Sequence, residues 1–238
     1  MANFDEAWRA AANVEGWLLE DQGRALFQAA SELPAGTVAV EIGSHRGKSA
    51  TIIALGLPTG GRLTAVDPFD DPRWGGGPES LAAFQANIAA VGVEDRVDLF
   101  RGLSVEASRA WAGPPVGFLW VDGAHDLAST LADLDGWLPH MAVGGRMYVH
   151  DAFSAVGTTR AVLRRGVWSS QLVYVGCVRT LVKFEVRPAS MSVRVRSTAG
   201  LLSRLPFFAR MVAIKLSRRR RLHRLERFFM TRDNEPLI

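Results

Sequence analysis

The stretch Thr37–Ser49, TVAVEIGSHRGKS, restricts what this chain can fold into more than any other. Val38, Ala39 and Val40 form a short apolar run that reads as a buried strand, and Glu41 ends it. Gly43 and Gly47 place a turn next, and from Lys48 onward (KSATIIALGL) the apolar residues take helical spacing. A strand, a glycine-bearing turn and a helix N-terminus surround a ligand's polar groups with backbone N–H groups and the positive end of a helix dipole. Without a ligand, the same string is simply a tight strand-to-helix turn.

Three ligands compete for such a turn: a dinucleotide, a nucleoside triphosphate and S-adenosylmethionine. The dinucleotide fingerprint G-x-G-x-x-G is missing, because the glycines are spaced G-x-x-x-G. The phosphate loop G-x-x-x-x-G-K-[ST] is nearer, yet GSHRGKS (Gly43–Ser49) is one residue short of it. A shorter turn cannot present the same nest of N–H groups to a phosphate. Glu41 would also repel a polyanion, whereas it suits an ammonium or sulfonium centre. S-adenosylmethionine fits best, with Gly47 and Ser49 at the helix start among its contacts.

The chain has 238 residues, 48% of them hydrophobic, enough for one large α/β domain. One cysteine, Cys177, leaves no disulfide framework and no cysteine-based zinc cluster, which suits a reducing cytoplasm. The polar start MANFDEAWRA does not read as a signal peptide, and no apolar run is long enough to span a bilayer. Charge is divided unevenly. Residues 1–187 hold 16 Lys and Arg against 21 Asp and Glu, and residues 188–238 hold 12 against 3, so a body at −5 and a tail at +9 make the net +4.

Along the chain, Phe4–Leu33 reads as helical with a break at Asn13–Gly16, and Trp17, Leu18, Leu26 and Phe27 are expected to face inward. A second strand, Arg62–Val66, ends at Asp67, which lies 24 positions after Gly43. That is near the spacing at which an acidic residue takes the ribose hydroxyls of a nucleoside, the alternative being a carboxylate that caps the next loop. Pro68–Ser80, PFDDPRWGGGPES, is expected to form a flap carrying Trp74 beside the site. A helix is expected over Leu81–Val91 and a third strand over Val97–Phe100. Gly102 and Ser104 follow at the level of an adenine edge.

A second group of residues carries the chemistry. Val116–Val121 reads as a buried strand ending in Asp122, with His125 and Asp126 just beyond. Leu127, Leu131, Leu134 and Leu138 give the following helix one apolar face. Gly144-Gly145 then lead into the strand Arg146–Val149, which ends in His150-Asp151. Asp122, His150 and Asp151 are thus expected at the carboxyl ends of two strands, the ligand-binding edge of an open parallel sheet. Two carboxylates and an imidazole can hold a hard divalent cation, Mg²⁺ or Mn²⁺; the plainer alternative is that they cap loops. Val156–Arg165 reads as a further helix. SSQLVYVGCV and RTLVKFEV read as adjacent antiparallel strands that complete a seven-stranded sheet.

In EIGSHRGKS, TAVDPF, RGLS, VDGAHD and LPHMAVGGRMYVHDAF the sequence resembles class I S-adenosylmethionine-dependent methyltransferases. The nearest branch holds small sugar and macrolide O-methyltransferases and cephalosporin-hydroxylase-like proteins, and the match covers roughly Gly16–Phe153. The resemblance implies a Rossmann-like sheet with helices on both faces. It implies that Glu41, Gly43, Ser44 and Asp67 contact the cofactor and that Asp122, His150 and Asp151 form a metal site. The cofactor set also takes in Gly47, Ser49, Gly102, Ser104 and Asp122. Relatives often have an acidic residue where Ala124 stands and a carboxylate at the place of His150, so the base role moves to a histidine. His125 is favoured as the base, with His150 as the alternative or as a metal ligand. His45 is expected to pack by the cofactor or face solvent, and His140 and His223 to be structural or exposed.

The expected organisation is an N-terminal helical cap (1–33), a methyltransferase domain (34–187) and a basic amphipathic tail (188–238). The tail includes SRRRRLHR, and Pro206 is expected to interrupt its helix. Its apolar and basic residues suit an anionic membrane at the inner face of the cell, or packing on the domain or on a second subunit of a homodimer. No nucleic-acid module accompanies the arginines, so nucleic acid is disfavoured. The expected acceptor is a hydroxyl of a sugar, glycolipid or glycosylated small molecule. The rival readings are a P-loop-like kinase using Gly43–Ser49 and Asp122, a non-catalytic membrane-associated scaffold, and an oxidative enzyme, which lacks an evident two-histidine-one-carboxylate triad.

Overall fold

A computed structural model describes residues 3–70 and 76–219. Two helices, α1 (Phe4–Ala10) and α2 (Glu20–Ser31), precede an alternating series: β1 (Val38–Ile42), α3 (Lys48–Gly56), β2 (Leu63–Asp67), α4 (Pro78–Ala90), β3 (Val97–Arg101), α5 (Ser104–Arg109), β4 (Val116–Val121), α6 (Leu127–Trp137), β5 (Met141–Val149) and α7 (Val156–Gly166). The hairpin β6 (Leu172–Val178) and β7 (Leu181–Val186) follows, then α8 (Met191–Leu202) and α9 (Leu205–Arg219). All seven strands lie in one sheet, in the order β3-β2-β1-β4-β5-β7-β6. β1 to β5 are parallel, and β7 runs antiparallel between β5 and β6. The order reverses between β1 and β4, so their carboxyl ends open a crevice, the usual place for a ligand in an open α/β sheet.

β4 is buried along its whole length and shows how the sheet divides the core. Phe118 and Trp120 point into one face with Leu26, Ile52 and Ile53, and Leu119 and Val121 point into the other with Trp137, Phe153 and Leu201. Side chains alternate across a strand, so a continuous apolar run feeds both faces and requires helices on each.

Several boundaries differ from the sequence reading for identifiable reasons. α4 begins at Pro78, because proline is preorganised for the first turn of a helix and its missing N–H is not needed there. Pro206 likewise lies in the first turn of α9, and the break between α8 and α9 falls before it. Trp17, expected inward, is 49% exposed, and its ring lies 5.3 Å from that of His45. The tail is not a detached element: Leu201, Met211 and Ile214 are buried. Most of the SRRRRLHR cluster with His223, and Trp74 with the middle of the flap, lie outside the described residues. Among the described residues no helix is long and apolar enough to cross a membrane.

Candidate active site

The turn after β1 is bound to its neighbours by backbone. Gly43 N–H donates to the Val66 carbonyl at 2.9 Å, and Asp122 N–H donates to the Ile42 carbonyl at 2.9 Å. Gly43 has φ +86°, and a Cβ there would run into the Asp122 carbonyl oxygen, so only glycine fits. Gly47, at φ +90°, caps α3, whose first N–H groups have no partner within the helix. His45 is also left-handed, at φ +46°. Its N–H donates to Asp67 Oδ2 at 2.8 Å, while Phe69 N–H donates to Oδ1 at 2.7 Å. Asp67 therefore performs the loop-capping task weighed against ribose binding. Each oxygen accepts one of these bonds and keeps a further lone pair.

Glu41 is wholly buried, and neither carboxylate oxygen has a hydrogen-bond partner among the described residues. Burial pushes its pKa up to about 7; the nearby Ser44 and Ser49 hydroxyls pull it back, and the Asp122 and Asp67 charges push it further. Ser44 Oγ is buried and unpartnered beside it. A buried carboxyl without a partner is costly, and a cationic ligand group would supply the partner. This donor set fits the ammonium and sulfonium of S-adenosylmethionine. The residues at the adenine level are engaged with the protein. Gly102 N–H donates to the Asp67 carbonyl at 3.2 Å, and Ser104 Oγ accepts from Trp137 Nε1 at 2.9 Å. Asp133, buried under Ser104, is pushed up to about 7 by burial, with the Ser104 hydroxyl opposing and the Asp126 charge adding.

Asp122, His150 and Asp151 do come together at the carboxyl ends of β4 and β5, but not as a ligand set. His150 Nδ1 is 2.9 Å from Asp122 Oδ1, and Nε2 is 3.3 Å from Gln22 Oε1. Leu19 N–H donates to that same Gln22 oxygen at 3.2 Å, which identifies it as the acceptor. Both ring nitrogens of His150 therefore face acceptors, as an imidazolium requires. Burial alone would lower the His150 pKa, but the charge and hydrogen bond of Asp122 and the charge of Asp151 outweigh it and hold it at about 9. With both nitrogens facing acceptors, His150 can serve as a base or a metal ligand only after losing a proton from one of them.

Asp151 turns the other way, at φ +50°, and accepts from Ser154 Oγ at 2.8 Å. Its Oδ2 is 3.5 Å from His125 Nε2. Burial would raise the Asp151 pKa; His150, His125, Ser154 and Lys215 together bring it below the usual carboxylate range. Among the described residues no group of three or more His, Cys, Asp and Glu side chains is placed to hold a metal ion. A Mg²⁺ or Mn²⁺ ion at the expected place would share Asp122 with His150, and Asp151 with Ser154 and His125. His125, the expected base, is a quarter exposed, and Asp151 is the carboxylate beside it.

Two further contributors were not anticipated. Gln22 is fully buried, on the face of α2 that also carries Leu26, Ala29 and Ala30. An amide at an inward helical position is the signal that would have found it. Lys215 of α9 donates to the Ser154 carbonyl at 2.8 Å and so ties the C-terminal helices to the loop that carries Asp151.

Residues 40–152 match a family model described as a methyltransferase domain. The fold is similar to that of cofactor-bound Rv0187 from MTB, with TM-score 0.60, 19% identity and coverage of 77% of this chain and 88% of that one. It is similar to the O-methyltransferase from Bacillus cereus in complex with SAH, with TM-score 0.56, 19% identity and coverage of 77% and 90%. It is also similar to CalS11, a TDP-rhamnose 3′-O-methyltransferase of calicheamicin biosynthesis, with TM-score 0.53, 17% identity and coverage of 76% and 92%. At these identities the structures share the fold.

Proposed function

We propose that this chain, whose residues 40–152 match a methyltransferase-domain model, is an S-adenosylmethionine-dependent methyltransferase that methylates a hydroxyl of a sugar, glycolipid or glycosylated small molecule. The observation that carries the donor assignment is the buried, unpartnered Glu41 beneath the Gly43–Gly47 turn. Bound at Glu41 and the Gly43–Gly47 turn, S-adenosylmethionine would supply an electrophilic methyl group, the sulfur keeping the electron pair of the broken bond. The chain's own contribution is to align an acceptor oxygen with that carbon, exclude water and remove the acceptor's proton.

His125 is the residue for the proton. Asp151 orients its imidazole and stabilises the imidazolium formed when the acceptor oxygen gives up its hydrogen. His150 stays protonated between Asp122 and Gln22 and holds the Asp122 carboxylate at the end of β4. No step is assigned to a metal. The sugar class is supported by the resemblance of the motifs and by the kinship of fold with CalS11. A kinase reading is disfavoured by the shortened turn and by Glu41 beneath it.

Calorimetry with S-adenosylhomocysteine and ATP, followed by turnover on a panel of hydroxyl-bearing glycosides, tests the proposal. Heat with S-adenosylhomocysteine and methyl transfer to a glycoside are expected. A triphosphate that binds while S-adenosylhomocysteine does not would overturn it. Homodimerisation, and contact of the basic tail with an anionic membrane, extend the same reading. Met191, Val195, Leu202 and Leu216 leave apolar surface on α8 and α9 for either partner.

A further inference from the structure

We propose that a groove beside the methyl-transfer corner binds an anionic group of the acceptor, a carboxylate or a phosphate, through Arg204. The inference rests on the methyl-transfer reading above and adds the charge of the substrate. The groove has a volume of about 340 Å³, within the range of small-molecule pockets, and is lined by Asp21, Cys177, Arg179, Arg204 and Phe207.

Its place follows from the strand register. Val149 at the end of β5 pairs with Val182 at the start of β7, so the Arg179–Thr180 turn lies at the sheet edge where His150 begins. Gln22 connects the two: Nε2 donates to Thr180 Oγ1 at 3.3 Å, and Oε1 faces His150 Nε2 at 3.3 Å. Asp21 and Arg179, which line the groove, are the chain neighbours of Gln22 and Thr180. An acceptor seated here reaches the corner from the side of α2 and the hairpin.

The charges in the groove do not balance. Arg179 Nε donates to Asp21 Oδ2 at 2.6 Å, so those two neutralise each other. Arg204 lies with its guanidinium 4.9 Å from the centre of the Phe207 ring, and one of its NH₂ groups donates to the Arg179 carbonyl at 3.4 Å. Its Nε is buried and has no partner, and its cation has no carboxylate among the described residues. The guanidinium lies beside the Phe207 ring and lines the groove, and such a fork matches a carboxylate or phosphate. A neutral sugar brings no charge to pair with it. A uronic acid or a sugar phosphate does.

The test titrates the full chain with D-glucuronate, D-glucose 6-phosphate and D-glucose, with and without S-adenosylhomocysteine, following arginine Nε–H resonances. One or both anionic sugars should shift the Arg204 resonance while glucose does not, and the stronger of the two identifies carboxylate or phosphate. Arg204→Met should weaken that binding at least about tenfold, the size expected for losing a charge-assisted pair, and Arg204→Lys should restore part of it. Unchanged S-adenosylhomocysteine binding by Arg204→Met establishes that the variant is folded. Absence of binding by either anionic sugar, or equal binding by Arg204→Met, overturns the proposal. Failure of S-adenosylhomocysteine to bind the wild type would strike the donor assignment instead, and the titration without it still decides the groove.

Discussion

Among individual residues, the two histidines beyond β4 and β5 have different surroundings, and the proposed roles follow from that. His150 is buried between two acceptors, and His125 is a quarter exposed with Asp151 beside it. His125→Ala should lower kcat by roughly 10²–10⁴-fold, the usual share of a positioned general base, with S-adenosylhomocysteine affinity unchanged. Asp151→Asn should lower kcat less, because it removes orientation rather than the proton acceptor. Glu41 makes a prediction about binding. Its carboxyl is held at about 7, and a cationic ligand favours the ionised form. Affinity for S-adenosylmethionine should therefore rise with pH through about 7, with net proton release detectable by calorimetry in buffers of different ionisation enthalpy. Glu41→Gln should abolish the release; release that persists in that variant would move the cationic partner elsewhere.

The same groups govern stability against pH. Glu41 and Asp133 are both raised to about 7 from ordinary carboxylate values, so the folded chain binds their protons more tightly than the unfolded chain. Their contribution is lost as pH rises from the ordinary carboxylate range through about 7. His150 is also raised, so its contribution is complete below the ordinary imidazole value of about 6.5 and fades as pH climbs through about 9. The urea midpoint of the ligand-free chain should fall steadily between pH 5 and pH 9. A midpoint that rises across this interval would contradict the burial assigned to Glu41 and Asp133 and the pairing of His150 with Asp122.

Whole elements place these residues, and two of them are tightly constrained. The β1–α3 turn passes so close to β4 that Gly43→Ala adds both a positive-φ penalty and a collision with backbone. A loss of about 1–3 kcal/mol from the conformation alone is expected, with weakened donor binding. Chemical unfolding and calorimetry on the variant measure both. At the other end of the chain, α8 and α9 bury Leu201, Met211 and Ile214 and hold the Ser154 loop through Lys215. Removing all of 200–238 would expose core, so the membrane reading is better tested by deleting 220–238. Retained catalysis with lost sedimentation on anionic liposomes supports a membrane role for the tail. Unchanged sedimentation removes it.

In the whole molecule, the proposed donor pocket from β1, β2 and α3 and the proposed proton-removing corner beyond β4 and β5 lie at the carboxyl ends of the same parallel strands. Among the described residues the corner has no assembled set of metal donors, and its carboxylates pair with histidines and Ser154. Turnover should therefore be insensitive to EDTA and to added Mg²⁺, as a radiolabelled methyl-transfer assay can show. A strict Mg²⁺ requirement would mean that Asp122 or Asp151 leaves its partner during the reaction.

Local pattern alone determined the alternation of strands and helices, the turn at Gly43–Gly47 and the convergence of acidic and histidine side chains on one sheet edge. Periodicity, glycine spacing and strand ends are local properties, and parallel strands place their carboxyl ends together whatever else the chain does. Partners across the sequence were decided by tertiary structure. Gln22 lies 128 positions from His150, and only the packing of α2 over the sheet brings its oxygen to the ring. That contact places an acceptor at the second ring nitrogen of His150, and the proposed base is therefore His125. The hairpin and α9 likewise bring Arg179 and Arg204 beside Asp21, an encounter that no spacing in the sequence encodes. Hydrogen bonding and desolvation depend on which groups meet in space, and they set the protonation states on which the chemistry runs.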